Sequence, residues 1–123
     1  MPTRLAPGTF YGRSLGKVEA AGLTFAESVY APGLEIPPHA HANAFFYFVV
    51  EGDFEESYRQ GTRTGGPSTL VFHPAGEPHA NRWRSPGGRV FHVEISPARA
   101  AAVRGHAPIL DAPADFRGGR HPG

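Results

Sequence analysis

Two histidines one residue apart, His39 and His41, end the segment GLEIPPHAH, and a third, His79, stands in HPAGEPHANRW. On an extended chain residues i and i+2 project to the same side, so His39 and His41 offer two imidazoles to one point. Imidazole nitrogen is a common ligand of divalent transition metals, and this spacing suits adjacent positions on one ion. The chain has no cysteine, which removes thiolate sites, disulfide frameworks and cysteine nucleophiles together. His39 and His41 are therefore candidate ligands of one divalent ion, with His79 a third inward imidazole; hydrogen-bonding pocket residues without a metal are the alternative, and Zn, Fe, Ni, Cu or Mn are all compatible with such donors.

Strand periodicity extends this reading to the surroundings. If His39 and His41 point inward, so do Asn43, Phe45 and Tyr47, provided no bulge intervenes. From His79 onward, Asn81 and Trp83 share one face while Arg82 and Arg84 take the other. The expected ligand pocket is thus lined by Asn43, Phe45, Tyr47, Asn81 and Trp83. The two rings with polar handles, Tyr47 and Trp83, either contact a ligand or simply fill the interior.

Three further groups stand in a second tier. His73, ahead of Pro74, reads as a rim histidine bonded to backbone, with ligation as the alternative. His92 and Glu94 share a face of RVFHVEI and would make an acid/base pair if that face were inward. Phe91, Val93 and Ile95 compete for the core from the opposite face, so His92 and Glu94 are expected outside. His106 and His121 are expected in solvent.

The elements that must position these residues are short. Sixteen Gly and thirteen Pro among 123 residues punctuate short apolar runs at near-regular intervals, the pattern of an antiparallel sandwich or barrel. LTFAESVY, 23–30, alternates as a half-buried strand. Pro32-Gly33 turns the chain, and Pro37-Pro38 excludes helix just before His39. FFYFVV, 45–50, is apolar at every position, so both of its faces must be covered. FEESYR, 54–59, suits a more exposed strand, GTRTGGP reads as a loop, and STLVF, 68–72, as a strand. Residues 81–85 and 89–95 are expected to form a hairpin about Pro86-Gly87-Gly88. Ser96 caps a short helix with Pro97 at its first position, running to Arg104. The organisation expected is one barrel over 1–96, a helix over 97–104 and a tail or linker over 105–123.

Lys plus Arg number 12 and Asp plus Glu 11, a balance that argues against nucleic-acid binding by bulk electrostatics. Neither a signal-peptide core nor eighteen consecutive apolar residues is present, so no membrane span or export is expected and the cytoplasm is the expected location.

The two histidine segments resemble the cupin superfamily. Gly33, His39, His41 and Gly52 match its first motif in register, with Phe45 where the family has glutamate. Pro74, Gly76 and His79 match the second motif, while Trp83 stands in place of an asparagine and Gly66 lies two residues too far back for the leading glycine. The resemblance implies an all-β, double-stranded β-helix or jelly-roll barrel with the short helix after it, and a metal held by three of the family's four ligands. A narrower resemblance runs through PPHAHANAFFYFVVEG, TLVFHPAGEPHANRW and RVFHVEISPARAAAVRGHAPILDAPADFRGG, which are similar to the N-terminal sensor domain of AraC-type transcription regulators. No DNA-reading helices follow, so the expectation is a free-standing relative or the sensor half alone, without direct nucleic-acid binding.

Two functions follow from these resemblances: a sensory or ligand-binding cupin that takes a small molecule in its barrel, or a three-histidine metalloenzyme, a dioxygenase, isomerase or lyase, acting on a small organic substrate. The binding role is preferred, because no unambiguous general base accompanies the histidines. Phe46, Phe48 and Val50, opposite in phase to the pocket residues, are candidates for a homodimer interface, with packing inside the chain as the alternative.

Overall fold

The computed structural model describes residues 3–59, 61–84, 86–104 and 113–117. His106, His121 and most of the expected tail lie outside them. Among the described residues eleven strands and one helix follow in order: β1 (Thr3–Leu5), β2 (Arg13–Ala20), β3 (Leu23–Tyr30), β4 (Glu35–His41), β5 (Ala44–Glu51), β6 (Phe54–Tyr58), β7 (Gly61–Gly65), β8 (Thr69–His73), β9 (His79–Trp83), β10 (Gly88–Ile95), α1 (Pro97–Arg104) and β11 (Ala114–Arg117). They form a five-stranded sheet, β1-β4-β9-β6-β7, and a six-stranded sheet, β11-β8-β5-β10-β3-β2. From β4 onward the chain crosses repeatedly between the sheets, as a jelly roll requires.

The inner faces enclose a core of Tyr30, Ile36, Phe45, Tyr47, Val49, Phe54, Val71, Trp83 and Val90. In β5 the inward phase is Phe45, Tyr47 and Val49. On its outer face Phe46 packs on a second cluster, Ala44, Phe72, Ile95 and Ala100, through which α1 docks on the six-stranded sheet. Ser96 Oγ accepts from the Arg99 amide at 3.2 Å, the cap expected for this helix. Phe48 and Val50 remain 40% and 38% exposed, so the single chain covers only part of the outer face that the sequence marks for burial.

Several expectations are corrected. Strands β9 and β10 do not form a hairpin: β9 pairs with β4 and β6, whereas β10 pairs with β3 and β5 in the other sheet. Between them the chain changes sheets at Gly87, whose φ of 107° puts it where L side chains are rare. The Gly87 carbonyl also approaches Gly52 so closely that a Cβ on Gly52 would collide with it.

The expected loop after residue 60 contains β7, which pairs antiparallel with β6. Strand β6 is not the exposed strand expected, since Phe54 and Glu56 are 1% and 2% exposed. Strand β2 escaped sequence reading because it is an edge strand exposed along its whole length, and such a strand needs no apolar alternation. Within the expected tail, β11 pairs antiparallel with β8. Among the described residues, no helix is long and apolar enough to cross a membrane.

Candidate metal centre

Strands β4 and β9 place the three histidines. His39 and His79 are direct partners across the ladder, after a register shift between Ile36 and His39 where the Pro37-Pro38 pair interrupts regular bonding. His41 follows two residues on from His39, on the same face. One ligand atom from each of His39, His41 and His79 lies within 4.8 Å of the others, and the three residues are 3%, 5% and 4% exposed.

Backbone carbonyls fix two of the tautomers. Nδ1 of His39 lies 2.9 Å from the Pro37 carbonyl, and Nδ1 of His79 lies 3.1 Å from the Glu77 carbonyl. A carbonyl can only accept, so each Nδ1 carries the proton and each Nε2 keeps a free lone pair, the arrangement that metal-binding histidines adopt. His41 Nδ1 is buried without a hydrogen-bond partner. Burial, aided by the neighbouring histidines, lowers the pKa of His41 to about 2 and that of His79 to about 3. His39 is lowered as well, chiefly by burial. The rings are thus neutral at physiological pH, which ligation demands. Donor type, tautomer and protonation all fit a divalent transition-metal ion.

Phe45 fills the position where the resemblance places a fourth ligand. Its ring centre is 4.3 Å from that of His41, and it has no donor atom. A buried carboxylate does stand nearby, on a strand whose sequence suggested exposure. Glu56 Oε2 accepts from Tyr47 Oη and from Asn81 Nδ2, each at 2.7 Å. Its Oε1 lies 2.9 Å from Arg63 Nε and 3.1 Å from His73 Nε2. Burial alone would raise the Glu56 carboxyl, but His73, His79 and Arg63 outweigh it and hold the group below the usual carboxylate range. Glu56, His73 and His79 form a second trio with ligand atoms within 4.8 Å. There the Arg63 guanidinium already balances the carboxylate, so the trio reads as a charge-paired network rather than a second ion site.

His73 is not at the rim. It is fully buried, because its register partner Phe45 sets the inward phase of β8 through His73, Val71 and Thr69. Nor are His92 and Glu94 outside: they are 4% and 2% exposed, whereas Phe91 is 38% exposed. Pairing of His92 with Tyr47 and of Glu94 with Phe45 turns the polar face of β10 inward. They do not form an acid/base pair. His92 Nε2 lies 3.2 Å from Tyr30 Oη, while Glu94 accepts from Asn43 Nδ2 at 3.0 Å and from the Gly8 amide at 2.7 Å.

A cavity of about 30 Å³ adjoins the trio, with Phe45, Tyr47, Asn81 and Trp83 in its wall. Asn43 is not part of it: the chain bends at residues 42 and 43 to change sheets, which breaks the alternation carried forward from His41. The wall also includes Tyr30, His92, Phe10 and Tyr11. Phe10 stacks on His92 at 4.0 Å, and Tyr11 meets His39 edge-on at 4.9 Å. Sequence reasoning missed Phe10 and Tyr11; adjacent aromatics in an otherwise polar, Gly-bounded segment, GTFYGR, were the available signal.

No protein-family model matches the chain. Over 57 residues it is 44% identical to dimethylsulfoniopropionate lyase DddQ of Ruegeria pomeroyi, a match over 44% of this chain and 28% of that protein. The chain therefore spans well under half the length of that relative. Among solved structures it is similar to the Schizosaccharomyces pombe Cnp3 cupin domain, with a TM-score of 0.62, 16% identity, and 75% and 64% of the two chains covered. A Rhizobium leguminosarum protein of unknown function gives a TM-score of 0.59 at 28% identity, over 68% of this chain and 77% of that one. Bacillus subtilis oxalate decarboxylase, studied for its Mn(II) centres, gives 0.56 at 20% identity, over 61% of this chain and 21% of that one. Two facing sheets, one short helix and these neighbours establish a cupin jelly roll.

Proposed function

We propose that this cupin barrel is a ligand-binding module which holds one divalent transition-metal ion on His39, His41 and His79 and takes a small molecule beside it. The observation that carries the reading is the convergence of three buried, neutral imidazoles, two with Nδ1 committed to backbone so that Nε2 is left to coordinate. An ion bound there would supply Lewis acidity and open positions for a ligand. Phe45 supplies no negative charge, so the site favours an anionic or strongly polar guest. The resemblance to AraC-type sensor domains supports a sensory use of that binding.

A catalytic reading, as a lyase, isomerase or dioxygenase, is favoured by the segment similar to DddQ and by the hydrogen-bonded Tyr30 and His92 in the cavity wall. Burial raises the Tyr30 hydroxyl above its ordinary value and lowers His92 to about 3, so in the metal-free protein both groups are neutral at physiological pH.

The test is metal analysis of protein purified without a histidine tag. About one ion per chain is expected, with loss of that ion in His39→Ala, His41→Ala and His79→Ala variants that keep the far-ultraviolet circular dichroism of the parent. Metal-free parent protein after reconstitution with Zn, Fe, Ni, Mn and Cu would refute the reading. Oxygen consumption or elimination from small organic acids by the loaded protein would favour the catalytic alternative.

A further inference from the structure

We infer that the Tyr30 hydroxyl, oriented by His92, is the specificity-determining contact for a small carboxylate, one of whose oxygens it receives while the other faces the ion site. The inference rests on the metal-binding reading above and names the ligand class of the same cavity.

Tyr30, at the end of β3, is 8% exposed, and its ring is stacked nearly parallel on Trp83 at 5.1 Å. Its Oη lies 3.2 Å from His92 Nε2. His92 Nδ1 is buried without a partner. Two proton arrangements are open to the pair. If Tyr30 donates to Nε2, the single imidazole proton sits on Nδ1 as a buried donor with nothing to receive it, which is rare in folded proteins. If instead Nε2–H donates to Oη, Nδ1 holds only a lone pair, and the phenolic proton is released to a different acceptor. The second arrangement is the less costly wherever a group in the cavity accepts from Oη, and both residues line the cavity shared with His39, His41 and His79. The pair is therefore built to present one O–H to a guest.

Size and charge define that guest. A volume of about 30 Å³ is roughly two water-sized positions, enough for the head of a carboxylate. Two other polar groups of the wall are committed: Tyr47 Oη and Asn81 Nδ2 both donate to Glu56, which occupies that carboxylate. Three neutral imidazoles leave the charge of a bound dication uncompensated, so an anion is favoured. A carboxylate meets both demands, with one oxygen toward the ion and one accepting from Tyr30.

The experiment loads the protein with Co(II), verifies stoichiometry, and titrates acetate while following the cobalt absorption bands. Tyr30→Phe keeps the ring on Trp83 and removes only the hydroxyl. Equal cobalt content with acetate binding weakened about 10-fold or more is expected, the loss typical of one hydrogen bond to a charged group. An unchanged acetate affinity in Tyr30→Phe would overturn the inference while leaving the metal reading intact, as would a cobalt spectrum in the parent that acetate does not perturb. Failure of the parent to take up metal would remove both. If Tyr30→Phe does not fold, ultraviolet resonance Raman of the loaded parent decides the matter: acetate should shift the hydroxyl-sensitive tyrosine bands, and their constancy would count against the contact.

Discussion

The rings of His73 and His79 lie parallel, 3.9 Å apart and inclined by 10°, with His73 against Glu56 and His79 in the metal trio. This stack joins the buried charge network to the candidate ion site. Glu56 acts through hydrogen bonds to Tyr47 and Asn81 and through its proximity to His73, holding the floor of the cavity without entering it.

Removing the charge at the centre of that network should be costly. In Glu56→Gln the Arg63 guanidinium loses its buried carboxylate, and breaking a buried pair on one side typically costs about 3–5 kcal/mol. Urea denaturation should show a fall of that order. A change below about 1 kcal/mol, the range of exposed ion pairs, would mean that Glu56 is far better solvated than its 2% exposure implies.

Stability of the metal-free protein should fall with acid well before the carboxylates titrate. His41, His79 and His92 have folded pKa values lowered to about 2, 3 and 3, against about 6.5 in the unfolded chain. Between these values the unfolded state binds more protons, so stability is fully present above pH ~6.5 and declines as pH drops below it. From pH ~7 to ~5.5 each histidine should remove about 1 kcal/mol, or about 3–4 kcal/mol together. Denaturation midpoints that stay constant over this interval would contradict the buried, neutral assignment.

The outer face of the six-stranded sheet should be a subunit contact. Phe48 and Phe91 are register partners, and with Val50 they leave three large apolar side chains 38–40% exposed on adjacent strands. We propose an isologous homodimer through this face. Sedimentation of the parent at micromolar concentration should show a dimer, and Phe48→Glu should shift it to monomer. A parent that sediments as a monomer would dispose of the proposal.

Access to the site should depend on Phe10. Its ring stacks on His92 and lies 5.0 Å from the ring centre of His41. The loop that carries it is tied down where the Gly8 amide donates to Glu94. Phe10→Ala should accelerate removal of bound cobalt by a chelator severalfold with little change in metal stoichiometry. Identical release rates would show that exchange takes another route.

The sequence by itself determined the all-β class, the extended segment ending in HxH and the capped helix after Ser96. Each depends on local chemistry: Pro37-Pro38 forbids helix, i and i+2 share a face, and Ser96 with Pro97 starts a helix wherever it is placed. Alternation from His79 also carried Asn81 and Trp83 to the cavity face, while Phe45 and Tyr47 face it from the far side of the bend at residues 42 and 43. Only the tertiary structure decided which face of β10 is inside, because period two states that His92 and Glu94 share a side without stating which one. Pairing with Tyr47 and Phe45 settled it. The same limit hid Glu56 and Arg63, whose charges argue for solvent until each meets the other across the ladder between β6 and β7. Asn43 shows the reverse failure, since alternation holds only while a strand continues and the chain turns there into the other sheet. The shape of the site thus follows from which strands face one another, a property of long-range pairing that no short stretch of this chain encodes.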